Sequence, residues 1–453
     1  MATVLLIALR LPSSRAFGSP NQVCRGLASL SSARISISDA YDGGNIQFLE
    51  TQEEGDKTVV KLNIKPDPFT ELEEKSHLQY FSFRSTVSAD ANHQVEYVID
   101  NAGAASYAQA WDESTVFFST SLNDPDSWRR KIDTTYKDGK LSWSHQHEAT
   151  SGSVYFSYFP PFSYSRHLDL IEKCTQYARV ESLGQSLDGR ELEMVHVGTG
   201  NRTCWIIHRQ HPGEHMAEFY AEGLLTRLLG LDSNGDVDGL VRKILGMYTF
   251  YIVPNMNPDG AARGYLRTNA AGANLNREWT SNGDYTAPTM ERSPEVYAVL
   301  EKMTETGCDV FLDIHGDEEL PYNFLAQPAV PNWGPRLESL HGAFLAAYQR
   351  SNPDIQQEYA YEPSDEPSEV LNIANDQVAH RFDCLSVTLE MPFKDCWSYP
   401  DPERGWSPAR SRMLGASVLD PLIYVHPYLR ADGEFWNDLP PDDAYVRPKS
   451  NYK

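Results

Sequence analysis

Between residues 39 and 160, apolar and polar positions alternate with a period of two. At 57–65, Thr58, Val60, Leu62 and Ile64 share one side, the pattern of a strand with one buried face. Residues 79–87, 94–99, 114–119, 140–145 and 154–159 read the same way, with Asp-, Asn- and Gly-containing turns between them. Short strands at close spacing, with no helical period among them, predict a β-sandwich of about 120 residues.

Past Phe159-Pro160-Pro161 the period changes. Apolar runs at 191–197, 204–208, 248–253, 310–314 and 385–389 alternate with helical stretches at 214–229, 293–306 and 335–348. A further helix is expected from Arg410 towards Ile423. This alternation predicts an α/β domain over 161–430 built on a largely parallel sheet, with ligands at the carboxyl ends of its strands. Residues 431–453 read as a C-terminal tail. No internal repeat, P-loop or GxGxxG is found, so a nucleotide cofactor has no support.

Composition adds three limits. Residues 1–38 contain no Asp, Glu or Lys but carry Arg10, Arg15, Arg25 and Arg34 among Ser, Ala and Leu. That is the composition of an organelle transit peptide, which would direct the chain to a mitochondrion or another organelle. A disordered extension on a cytoplasmic protein is the alternative. The net charge of −24 over 453 residues opposes binding to nucleic acid, and no apolar run is long enough for membrane insertion. Six scattered cysteines without a CxxC pair exclude a disulfide framework and a thiolate zinc site. Nothing in the sequence bears on oligomeric state.

The candidate chemistry falls next to the strands of the second domain. His211-Pro212-Gly213-Glu214 follows the run at 204–208, and His315 follows the run at 310–314 inside Asp313-Ile314-His315-Gly316-Asp317-Glu318. Two imidazoles and a carboxylate make a three-ligand set, and catalytic zinc uses three protein ligands while leaving a fourth position open. A lone histidine is more often a hydrogen-bonded core residue; co-occurrence at two strand ends, with Pro-Gly fixing one loop, favours a metal. His208 and His215 flank the first motif and are read as structural. Asn257-Pro258-Asp259-Gly260 precedes Arg263 and Arg267, and Asn274-Leu275-Asn276-Arg277-Glu278-Trp279 follows. Arg263, Arg267 and Arg277 are expected to form a small cationic patch able to bind a carboxylate bidentately. Glu390 ends the apolar strand at 385–389; alone, it reads more readily as a salt-bridged strand terminus than as a base.

In this order the five motifs resemble the zinc carboxypeptidase superfamily, and within it the cytosolic carboxypeptidase branch, whose members carry an upstream β-sandwich. The resemblance implies a mixed sheet flanked by helices, one zinc ion on His211, Glu214 and His315, and Glu390 as general base. It further implies Arg267 polarising the scissile carbonyl and Asn276 with Arg277 holding the substrate's terminal carboxylate. The partners implied are peptide or protein C-termini. Eukaryotic tubulin-trimming members carry His-Gly-His-Ser where this chain has His315-Gly316-Asp317-Glu318, which is closer to bacterial members and weakens tubulin as substrate. Arg381 and Lys394 are the cations that would make the side-chain pocket basic and favour Glu; Tyr359 and Tyr361 are candidates for a substrate-capping tyrosine. A zinc deacylase of small N-acyl amino acids and an inactive peptide-binding relative are the competing readings.

Overall fold

The alternation upstream of residue 160 builds two five-stranded sheets packed face to face. A computed structural model describes residues 34–449 except 55–56, 74, 89–91, 150–151, 282–285 and 365. One sheet runs in the order Arg34–Ser38, Ser82–Ser88, Ser153–Ser157, Val116–Ser119, Arg129–Lys131. The other runs Gln47–Glu54, Lys57–Asn63, His93–Ile99, Lys140–His147, Thr135–Lys137. Their inner faces meet in an aromatic core, where Trp143 stacks on Tyr97 at 5.5 Å and Tyr97 lies 4.8 Å from Phe156. Arg34–Ser38 belongs to the acid-free N-terminal segment yet pairs antiparallel with Ser82–Ser88. The rest of that segment, 1–33, lies outside the described residues.

The second sheet system has seven strands, ordered Arg179–Gln185, Glu191–Val197, Tyr248–Val253, Arg202–His208, Val310–Asp317, Leu385–Pro392, Phe324–Ala326. The central pairings are parallel and the flanking ones antiparallel, so the sheet is mixed rather than largely parallel. Strand–helix alternation specifies the crossovers at the centre; the edge hairpins leave no such trace. Alternate residues of one strand serve opposite faces. Cys204 and Ile206 pack with helices His215–Leu229 and Pro335–Ser351, whereas Trp205 and Ile207 pack with Pro294–Thr306 and Ala374–Phe382. The helix expected after Arg410 forms as two, Pro408–Ser417 and Leu419–Val425. Pro421 has no N–H for the Ser417 carbonyl, and that carbonyl instead accepts from Ser351 Oγ at 3.3 Å. No helix among the described residues is long and apolar enough to cross a membrane.

The sandwich is built into the second domain. Tyr158 stacks on Phe393 at 4.8 Å. Asp67, buried at 4 % exposure, accepts the backbone N–H groups of Leu266 (2.7 Å), Arg267 (2.8 Å) and Thr268 (2.9 Å) and the Thr268 hydroxyl (3.0 Å). Glu73 accepts the N–H of Asn274 at 3.0 Å. At Gly272, φ is +73° and a Cβ would meet the Phe69 carbonyl oxygen at 1.9 Å, so only glycine admits this approach. Sandwich carboxylates thus fix the loop that carries Arg267 and Arg277. Replacing Asp67 by Asn leaves one oxygen for four donors. Asp67→Asn should lower stability by about 1–3 kcal/mol and reduce turnover; denaturant unfolding beside steady-state kinetics checks both.

Candidate active site

Val310–Asp317 and Leu385–Pro392 pair in parallel with His315 opposite Glu390. The strand at 310 runs through His315 instead of ending before it, because its ladder with the neighbouring strand continues to Asp317. Side chains opposite one another on paired strands share a face, so this register places an imidazole and a carboxylate side by side. His211 and Glu214 come from the loop after Arg202–His208, with Glu214 immediately preceding helix His215–Leu229. That loop is held by buried Arg209, at φ +57°, which donates to the carbonyls of Pro212 and Phe162 at 2.9 Å and to Glu218 at 2.6 Å.

Two hydrogen bonds set the imidazole tautomers. His211 Nε2 faces Asn274 Oδ1 at 3.0 Å and His315 Nε2 faces Asp313 Oδ2 at 2.9 Å. With those nitrogens donating, both Nδ1 lone pairs point inward, 3.2 Å apart, and each lies beside Glu214, at 2.7 Å for His211 and 2.9 Å for His315. All three ligand atoms fall within 4.8 Å of one another in buried positions. Two lone pairs and a carboxylate converging this closely call for a cation, and the N, N, O donor set suits zinc. Burial and the nearby Arg267 push His211 down to about 3, keeping it neutral for ligation. Burial disfavours a charged His315, but Asp313 and Glu214 outweigh it and raise its pKa well above 6.5. The carboxylates that favour a proton on His315 would equally favour a cation at its inward nitrogen.

Around this centre lies a cavity of about 530 Å³, and Arg267, Asn276, Arg277, Glu390 and Tyr361 all line it. Burial lifts the Glu390 carboxyl well above the usual range; His315 opposes the rise, and Glu214, Asp317 and Glu318 add to it. Its Oε1 accepts from the Tyr361 hydroxyl at 3.2 Å while its buried Oε2 has no partner. Burial also works against the charge on Arg277, and Arg267 lowers its pKa further. Two guanidinium groups crowd each other here, and an anionic ligand relieves that repulsion. Asn276 Oδ1 is occupied by the Ala374 N–H at 2.9 Å, which ties this grip to the segment beginning helix Ala374–Phe382.

Other expectations fare differently. Arg263 turns away from the cavity to pair with Asp188 at 2.6 Å, so the cationic patch has two arginines, not three. Arg381 donates to Thr304 Oγ1 at 2.9 Å, outside the cavity, and Lys394 lines a neighbouring groove with its ammonium on the Asp112 carbonyl. Neither makes the side-chain pocket basic. Tyr359 stacks on Tyr322 at 4.9 Å, so of the two candidates Tyr361 is the one that lines the cavity. His208 Nδ1 meets the Val253 carbonyl and His215 Nδ1 accepts from the Phe162 N–H, so both are structural. Asp67, Tyr107 and Glu318 carried no assigned role in the sequence; Tyr107 and Glu318 line the cavity and Asp67 holds its arginine loop.

Residues 164–411 match the zinc carboxypeptidase family and residues 37–159 match the cytosolic carboxypeptidase N-terminal domain. The chain belongs to the zinc carboxypeptidase family. Bacterial proteins are similar over nearly their full length. An uncharacterized Zymomonas mobilis protein is 40 % identical, the match covering 88 % of this chain and 99 % of that one. The crystal structure of a Shewanella denitrificans protein proposed to be a carboxypeptidase A is 44 % identical, with a TM-score of 0.76 over 86 % of this chain and 98 % of that one. A Pseudomonas aeruginosa metallo-carboxypeptidase, solved with (2-guanidinoethylmercapto)succinic acid, is 37 % identical with a TM-score of 0.76, over 87 % of this chain and all of that one (100 %). The protein is therefore a zinc metallocarboxypeptidase, a proteolytic hydrolase whose zinc site is His211, Glu214 and His315.

Proposed function

We propose that this zinc carboxypeptidase removes single residues from the free C-termini of peptides or proteins. The observation that carries this reading is the placement of Glu390 beside the His211–Glu214–His315 set, facing a paired guanidinium grip in one cavity. When bound, zinc supplies Lewis-acid activation of water and of the scissile carbonyl. Glu390 Oε2, free of protein partners, takes the proton of the attacking water and returns it to the departing amine. Arg267 faces the oxyanion as it forms, Asn276 and Arg277 hold the terminal carboxylate, and Tyr361 closes over the substrate from the cavity mouth. The P. aeruginosa relative was solved with a compound that bears both carboxylates and a guanidine group, chemistry in keeping with an anion site of this kind.

For the departing side chain, the cavity wall shared with Asn276 offers Ala326, Gln327, Ile373, Asn375 and Asp376. They bring no cation, and Asp376 adds a carboxylate, so a C-terminal Glu should leave more slowly than neutral residues or Lys. The test is hydrolysis by the zinc-loaded enzyme of peptides ending in Glu, Asp, Lys, Phe and Ala, each with a free and an amidated terminus. Cleavage confined to free termini and abolished by chelation is expected. Equal cleavage of amidated peptides would remove the exopeptidase reading, and Glu as best substrate would overturn the ranking of side chains. Zinc loading with activity only on N-acyl amino acids would favour the deacylase instead.

A further inference from the structure

We infer that the segment Ala444 to Lys449, beyond the part of the chain that matches the family, belongs to the catalytic apparatus as a strap that positions Tyr361 and walls the cavity. The inference rests on the carboxypeptidase reading above and on Tyr361 acting at the substrate.

Contacts along its whole length place the strap. Its path over helix Pro335–Ser351 is fixed at Gly342, where a Cβ would meet the Tyr445 nitrogen at 2.6 Å and the Asp443 carbonyl at 2.8 Å. Just before it, buried Asp443 accepts from Arg350 at 2.6 Å, anchoring the approach. The chain then runs along the cavity, contributing Tyr445, Val446 and Pro448 to its wall. Finally it clamps the loop that bears Tyr361 on both flanks. Upstream, the Lys449 N–H donates to the Glu358 carbonyl at 2.6 Å, the Ala360 N–H to the Lys449 carbonyl at 3.4 Å, and the Lys449 ammonium meets Glu358 at 2.7 Å. Downstream, Arg447 donates to the Pro363 carbonyl at 3.1 Å.

Between those clamps Tyr361 sits with its hydroxyl 2.6 Å from Asp317 Oδ2 and 3.2 Å from Glu390 Oε1. Its ring packs edge-on against Phe324 at 4.9 Å. On the same loop Tyr359 stacks on Tyr322, and the backbone on either side of Tyr361 is bonded to the strap. A side chain 43 % exposed, on a loop without helix or strand of its own, keeps a fixed distance to the general base only if something outside the loop holds it.

The test uses the full chain loaded with zinc. Replacing residues 445–449 with Gly and Ser should lower kcat/KM by about 10- to 100-fold, the scale of a displacement near 1 Å in a catalytic group, with zinc content unchanged. Tyr445→Ala, which keeps the clamp and opens the wall, should instead raise KM for a peptide ending in Phe more than for one ending in Ala. Lys449→Pro removes the donor to Glu358 and should lower kcat; in a Tyr361→Phe background it should cost nothing further, since the strap would act through that hydroxyl. Wild-type kcat/KM and selectivity in the 445–449 replacement, or full additivity of Lys449→Pro with Tyr361→Phe, would overturn the inference. If the replacement does not fold, the two point variants decide it alone. Wild-type enzyme that fails to release any C-terminal residue would instead remove the underlying functional reading.

Discussion

Glu390→Gln is expected to abolish most turnover while leaving zinc binding intact. The amide matches the carboxylate in size and keeps an oxygen for the Tyr361 hydroxyl, so packing between paired strands is preserved. What it loses is proton acceptance at the atom that lacks a protein partner. General acid–base catalysis contributes on the order of 10²–10⁴ in rate, and the same group serves twice, first taking the proton and then returning it. The fall should therefore reach the upper part of that range and appear in kcat, with KM nearly unchanged. Zinc content measured beside single-turnover hydrolysis separates loss of chemistry from loss of metal. A Glu390→Gln enzyme at wild-type rate would show that the base lies elsewhere.

Arg267→Met should cost about 10²–10³ in kcat, the usual effect of removing one oxyanion donor. Partial burial works against the charge of Arg267, but Tyr107, Glu214 and Glu318 outweigh it and keep the guanidinium protonated. Methionine preserves the apolar stem and removes the charge. Because the negative charge on the carbonyl oxygen develops only on the way to the transition state, the loss should fall on kcat rather than KM. Arg277, which grips a carboxylate already present in the ground state, should show the opposite split. An Arg267→Met enzyme with raised KM and normal kcat would reassign Arg267 to substrate holding.

How much of this was legible follows from distance along the chain. His211 and Glu214 occupy one turn, and Asn276 and Arg277 are adjacent, so a short motif carries each pair whole. His315 and Glu390 belong to different strands, yet each lies in a run whose apolar pattern announces a buried strand, and ordered resemblance linked them. The orienting partners Asn274 and Asp313 stood inside quoted motifs, but only the imidazole nitrogens they face reveal what they do. Asp67 had no signal at all. It lies 200 positions from Arg267, in a Pro-containing connection that reads as ordinary turn. Likewise, the sequence offered Tyr359 and Tyr361 equally; alternation along the chain decided nothing, and packing on Tyr322 against exposure to Glu390 decided it. Arg263, Arg381 and Lys394 show the converse, since charge near a motif says nothing about which way a side chain leaves the backbone.

The pairing of His315 with Glu390 across two central strands carries a consequence for how such an enzyme diversifies. The spacing between the metal and the base is held by a ladder of backbone hydrogen bonds that no side-chain change can stretch, in the least deformable part of the molecule. Much of the wall that meets the substrate's variable parts, by contrast, comes from the 356–364 and 444–449 segments. Appetite for one terminal residue or another is therefore free to drift through insertions and exchanges in those peripheral pieces. The metal-to-base spacing underneath passes through such changes untouched, whereas turnover still depends on the strap and on the loop that carries Arg267.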